Sequence, residues 1–324
     1  MSPSAPPPAT PSPDAEYAVA LEVDPAVLAA PEAPPSGEEA DALQRVRAYL
    51  AASHATPMAF PTIAIEILEL VRFPDVDLNE LSRYIRVDGA LAGGVLALAN
   101  SAIYRAVRRI DTVKDAVARL GISEVARLAA AISMRSLYCA DAGRANDAFQ
   151  PAWQRLFLHA VTVARCASDL ARHKLAATPG VEQTFMAGLL HDVGLSAVLR
   201  AVAELTFFSK LPRLEEPVLS RVLQRAHVEA GTELHRAWKL PPTLADVAAH
   251  HHGPVPEGAN GPLVQLVRLV SARDLLRRAP ASHPRAAAEV VESARALGLP
   301  AARVKALASD LELAEAWVVT AFPS

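Results

Sequence analysis

Residues 188–199 read GLLHDVGLSAVL, so His191 and Asp192 stand side by side in a run that is otherwise apolar or small. Burying an imidazole and a carboxylate among leucines and valines is costly unless they find partners. The dipeptide therefore predicts a buried polar cluster to which other parts of the chain contribute. Apolar residues on either side recur at spacings of three and four, which is the period of a helix.

That period runs from Glu38 nearly to the end of the 324-residue chain. It predicts helices near 40–53, 61–72, 77–86, 88–100, 112–120 and 122–138, then near 149–175, 181–192, 196–209, 215–236, 241–252 and 261–278, with three short helices over 285–321. Short stretches such as FPDVD, VDG and LGIS punctuate them. Hydrophobic residues make up 52% of the chain and aromatics 5%, so the apolar content is mostly Ala, Leu and Val, which suits packed helices better than β-sandwiches. The expected fold is all-α, a helical bundle of two subdomains. Small polar residues in CADAGRAND (139–147) mark a seam between an N-terminal helical subdomain, 39–138, and a second one, 149–278. Residues 279–324 form a C-terminal extension.

Ten of the 26 prolines fall within residues 1–39, so residues 1–38 are expected to be a flexible leader. Within it EYAVALEV places Tyr17, Val19, Leu21 and Val23 on one side, an alternation that suits an added strand or simple packing on the body. The chain's start has neither the basic residues nor the apolar core of a signal peptide, and no later run reads as long and apolar enough for a membrane span. A cytoplasmic protein without membrane insertion is expected. Cys139 and Cys166 then stand as free thiols. A net charge of −3 and a pI near 6.4 supply no general field for nucleic acid.

Further polar residues interrupt apolar helix faces in the second half. His159 lines up with Leu156, Val163, Cys166 and Leu170, and His227 with Leu223, Ala230, Gly231 and Leu234. In PPTLADVAAHHHG, His251 shares a face with Leu244, Val247 and Ala248, flanked by His250 and His252. Asp274 sits in the stripe of Leu263, Leu266, Val267 and Val270. Each has a plainer reading: single histidines are hydrogen-bonded core residues, His250 and His252 sit at a helix C-terminus, and Asp274 pairs with Arg273, Arg277 or Arg278. Taken together, His159, His191, Asp192, His227, His251, His252 and Asp274 suit the ligands of a divalent metal ion (Fe, Mn, Mg or Zn), whose charge would offset the buried acids.

The order His…HisAsp…His…HisHis…Asp resembles the metal-binding pattern of the HD superfamily, all-helical proteins that often hydrolyse phosphoesters. Upstream, the Asp88-x-Ala90-Leu91 step, LALANSAIY and IDTVKDAVARLG resemble the first half of the HDOD domain, the HD-related output domain of bacterial signalling proteins. AGLLHDVGLSAVL and HVEAGTELHRAWKLPPTLADVAAHHHG continue the likeness, which covers roughly residues 56–275. Two departures matter. Gly89 stands where the family commonly has proline, and Leu195 stands where active HD phosphodiesterases read HisAsp-x-x-Lys, with the Gly-Tyr-Pro signature of cyclic-dinucleotide hydrolases also absent. The resemblance implies a non-catalytic output or scaffold module acting through signalling proteins, with a pocket for a metal or small ligand. The alternative is a metal-dependent phosphohydrolase acting on a nucleotide or cyclic dinucleotide, in which Arg273 or Arg277 would replace the lysine. A third reading, nucleic-acid binding by a helix-turn-helix around Gly121, is opposed by a second helix carrying only Arg127 and Arg135 among many alanines.

Overall fold

The computed structural model describes residues 13–22, 34–35, 37–53, 58–61, 66, 78–104, 108–138, 147–173, 180–278 and 285–322. Among them the regular structure is all helix: α1 (Pro13–Leu21), α2 (Gly37–Ser53), α3 (Leu78–Val87), α4 (Gly89–Ala99), α5 (Val113–Leu120), α6 (Ile122–Tyr138), α7 (Gln150–Arg172), α8 (Val181–Leu190), α9 (Val193–Phe207), α10 (Glu216–Ala237), α11 (Pro242–His250), α12 (Gly261–Arg278), α13 (Ala286–Ala296) and α14 (Ala301–Ala321). The all-α expectation holds. All but residues 61 and 66 of the helix expected over 61–72, Cys139 and nearly all of the seam lie outside the described residues.

The upstream motifs do structural work at helix ends. Asp88 accepts from the Leu91 backbone N–H at 3.1 Å and so caps α4, which does not depend on proline at the next position. Asn100, in LALANSAIY, clasps Ile110: its Nδ2 donates to the Ile110 carbonyl at 2.8 Å and its Oδ1 accepts from the Ile110 N–H at 2.8 Å. Thr112 accepts from the Asp115 N–H at 3.1 Å and starts α5. Gly121, at φ 85°, then turns the chain directly into α6. That second helix is core: it buries Val125 through Ala131, and Arg127 is held in an ion pair with Glu124 at 2.7 Å. The guanidinium is thus unavailable to a nucleic-acid backbone.

Buried apolar side chains form one continuous cluster from Tyr17 to Ala321, so both halves share a core. Three expectations change. The first is the leader, where residues 13–21 are helical. Pro13 suits a first helical position, Tyr17 and Leu21 are buried one turn apart, and Val19 between them is 76% exposed, so the period is that of a helix and not a strand. The Tyr17 hydroxyl donates to the Leu299 carbonyl at 2.6 Å, fastening α1 to the C-terminal helices. The second is the C-terminal region, which folds as two helices because neither Gly nor Pro interrupts residues 301–321. The third concerns apolar length. Val181–Phe207 is, by composition, long and apolar enough to cross a membrane (27 residues, mean hydropathy 1.4), but 94% of its most apolar window is buried inside the protein. It is a buried core segment, broken at His191–Asp192 between α8 and α9.

Candidate metal centre

Close helix packing carries the polar residues to one place. A Cβ on Gly188 would stand 2.6 Å from the Ala164 Cα, so α8 lies against α7 backbone to backbone. One on Gly194 would stand 1.9 Å from the His227 carbonyl oxygen, so α9 is pressed equally hard on α10. These two contacts flank His191 and Asp192 and draw them toward His159 on α7 and His227 on α10.

Asp192 is the hub. Its Oδ1 lies 3.0 Å from His251 Nε2 and 3.4 Å from His227 Nε2, while its Oδ2 lies 3.2 Å from His191 Nε2 and 3.4 Å from His159 Nε2. His159, His191, Asp192, His227 and His251 are each at most 5% exposed. Two groups have ligand atoms close enough to share an ion, Asp192–His227–His251–His252 and His159–His191–Asp192. Of the seven residues predicted from sequence, six thus come together.

Asp274 stands one step back. It accepts from His159 Nδ1 at 2.8 Å, from Arg278 Nε at 2.8 Å and from Arg277 Nη2 at 2.9 Å, which makes it an outer carboxylate that orients the histidine. Arg277 also pairs with Glu315 on α14, and Arg278 does so at 2.9 Å. Arg277 is therefore engaged and does not stand in for the absent lysine. Leu195 is buried in the first turn of α9.

Three residues that the sequence reading passed over complete the surroundings. Ser271 Oγ lies 3.0 Å from His191 Nε2 and 3.2 Å from His159 Nε2. Glu289 on α13 holds His252 Nδ1 at 2.9 Å. Arg268, itself buried, donates from Nε to the His251 carbonyl at 3.0 Å and from Nη2 to the Gly253 carbonyl at 2.7 Å, fixing the turn that carries the paired histidines. An open pocket of about 450 Å³ beside His252 is lined by Gly253, Gln265, Arg268, Arg285 and Glu292 among others.

The electrostatics favour ligand-ready forms. Burial, above all, pushes His227 down to about 3 and His251 down to about 4, leaving both rings neutral. Burial would favour neutral Asp192 too, but the neighbouring His191 and a hydrogen bond from His159 hold its carboxyl well below the usual range. His159 behaves oppositely: burial would lower it, yet hydrogen bonds to Asp192 and Asp274 raise it to about 9. An unfolded imidazole titrates near pH 6.5. As pH falls from about 6.5 toward 4, the unfolded chain gains protons that folded His227 and His251 refuse, so stability falls. The His159 contribution is full below about pH 6.5 and is lost as pH rises through about 9. Melting of chelator-treated protein is therefore expected to peak near neutrality and decline on both sides. A melting temperature unchanged from pH 7 to 4.5 would contradict the buried neutral histidines.

The HDOD domain model matches residues 58–254, more than half of the chain. The chain belongs to the HDOD family. A protein of Treponema pallidum (strain Nichols), itself uncharacterised, is 26% identical over 220 residues, which is 64% of this chain and 40% of that protein. The chain thus spans less than half of that curated relative. Among solved structures, an HDOD domain protein of unknown function from Geobacter sulfurreducens shares 22% identity at a TM-score of 0.57, over 88% of this chain and 99% of that one. A protein of Marinobacter aquaeolei VT8, provisionally named a signal transduction protein, shares 19% identity at a TM-score of 0.58, over 92% and 68%. One from Shewanella amazonensis SB2B, provisionally named a metal-dependent phosphohydrolase, shares 18% at 0.55, over 84% and 99%. At these identities the likeness is one of fold.

Proposed function

We propose that this HDOD chain is a non-catalytic signalling output module that works through protein partners, and that its buried His/Asp centre holds a divalent ion which stabilises one conformation. The observation that carries this reading is closure: five of the candidate ligands are at most 5% exposed, and Leu195 adds a buried apolar side chain in the turn after the HisAsp pair. Phosphoryl transfer needs developing negative charge held by a fixed cation. Leucine supplies none, and Arg277 is occupied by Asp274 and Glu315.

A bound divalent ion would supply Lewis acidity and lower the pKa of a coordinated water. The chain's own residues fit such an ion. Nδ1 of His227 faces the Gln224 carbonyl at 2.8 Å and Nδ1 of His251 faces the Ala248 carbonyl at 3.0 Å, so each ring donates there and turns its Nε2 lone pair to Asp192. A phosphohydrolase acting on a nucleotide or cyclic dinucleotide is the second reading. It is favoured by the pocket beside His252, where Arg268 and Arg285 could meet a phosphate.

Thermal melting with added Mn, Fe, Mg or Zn, run beside a screen of phosphoesters and cyclic dinucleotides, separates the two. An ion at a hundred times its Kd adds about 2.7 kcal/mol to the native state, so a melting shift of several degrees is expected, abolished in the double variant His191→Ala, Asp192→Ala, with at most trace turnover. Robust metal-dependent hydrolysis by the unaltered chain, lost on His191→Ala, would replace the scaffold reading with the enzymatic one.

A further inference from the structure

We infer that the turn between α13 and α14 is a docking surface for a short helix presenting a tyrosine one turn before a leucine, and that α1 fills it as an exchangeable ligand carried on the same chain. The surface shares no residue with the His/Asp cluster, and its use does not depend on an ion there.

The turn carries its own recognition groups. Gly298, at φ 67°, lets the chain turn back at the end of α13, and the Leu299 N–H donates to the Ala294 carbonyl at 2.8 Å. The first backbone acceptor of α14 is the Pro300 carbonyl, which takes the Arg303 and Val304 N–H groups. The Leu299 carbonyl is thereby left between the two helices with no backbone donor among the described residues. Such a carbonyl needs a donor from elsewhere. The Tyr17 hydroxyl supplies it at 2.6 Å. Arg295, in the last turn of α13, lies over the Tyr17 ring at 5.7 Å from its centroid. Hydroxyl and ring are thus met by different groups, which favours tyrosine over phenylalanine or leucine at this place. Tyr17, Ala18, Ala20 and Leu21 are buried while Glu16, Val19 and Glu22 are exposed, so α1 engages the body by one face.

α1 has the marks of a ligand more than of a framework helix. Its nine residues are too few to hold a helix in water unaided, so its order comes from the surface it lies on. Tyr17 and Leu21 are the two large side chains that it buries there. Residues 22–36 separate it from α2, and a chain of that length spans up to about 50 Å. α1 can therefore leave the surface without moving the body, and a separate segment with the same two anchors competes for the same place. α14 connects this surface to the interior: its Glu315 pairs with Arg277 and Arg278, which both hold Asp274.

Native-state hydrogen exchange of the unaltered chain, and anisotropy titration with a labelled peptide of residues 11–24, test this. The amides of residues 17–21 are expected to exchange faster than those of α14 and with a weaker dependence on denaturant, as a segment that opens by itself does. The full-length double variant Tyr17→Ala, Leu21→Ala, whose own α1 has lost its anchors, is expected to bind one peptide per chain. Tyr17→Ala in the peptide should weaken that binding at least about tenfold. Tyr17→Phe, which keeps the ring and leaves the Leu299 carbonyl unpaired, should weaken it at least about fivefold. The unaltered chain should bind the peptide more weakly than the double variant, because α1 competes. Exchange of α1 only together with α14, or a double variant that no longer melts cooperatively, would make α1 part of the framework and overturn the inference. So would a folded double variant that ignores the peptide, or equal binding of the peptide and its Tyr17→Ala form.

Discussion

Gly194→Ala is expected to cost at least about 3 kcal/mol and to lower the melting temperature by roughly 5–10 °C, although it adds a single methyl group. The added Cβ would meet the His227 carbonyl oxygen at 1.9 Å and the Gly231 nitrogen at 2.5 Å, both backbone atoms that no rotamer change can move aside. Relief requires α9 and α10 to part. Because the struck carbonyl is that of His227, the same movement takes its imidazole away from Asp192, so ion-induced stabilisation should be lost along with folding energy. Gly93→Ala supplies the control. It lies within α4 with nothing inside 4 Å of an added Cβ, and alanine there should be neutral or raise stability by up to about 1 kcal/mol. Equal melting temperatures for the two variants would show that the close approach of α9 and α10 is not a constraint.

The centre was legible where a polar residue interrupts an apolar helical face. His159, His227 and His251 were placed inward by their neighbours at three and four residues, and the structure places them so. The same rule places Asp274 inward, where it is fully buried. A face tells that a side chain points inward but not which buried group it meets, and here the intervening partner is the far nitrogen of His159. Glu289 carries the same signal, an acid in line with Ala286 and Ser293 in α13, and was missed because 285–321 was read only as three short helices. Ser271 gives no such signal, since a hydroxyl in a helix can satisfy itself on its own backbone. Tyr17 and Leu21 fit both a strand-like alternation and a helical turn. Only the exposure of Val19 between them separates the two.

The largest electrostatic effect is expected outside the His/Asp cluster, at Glu124. This buried carboxylate on α6 accepts from Trp317 Nε1 at 2.7 Å, Arg165 Nη1 at 2.5 Å, Arg127 Nη2 at 2.7 Å and the Tyr104 hydroxyl, joining the first half of the chain to α7 and α14. Arg127 is 2% exposed, and its Nε and Nη1 have no partner among the described residues, so Glu124 is what compensates its charge. Removing one member of a buried pair strands the other, at about 3–5 kcal/mol. Glu124→Ala should fall in that range, and Glu124→Gln, which keeps the shape but not the charge, should cost less. The acid limb offers a separate check. Burial alone would raise the Glu124 pKa, but Arg165 and Arg127 hold it down to about 2. Its contribution is therefore complete above the ordinary carboxylate value near 4.5 and is lost as pH falls from there toward 2. Between those values the Glu124→Gln protein should lose stability less steeply than the unaltered chain, and the two melting curves should converge. Parallel pH dependences would mean that Glu124 is not the ionised keystone of this junction.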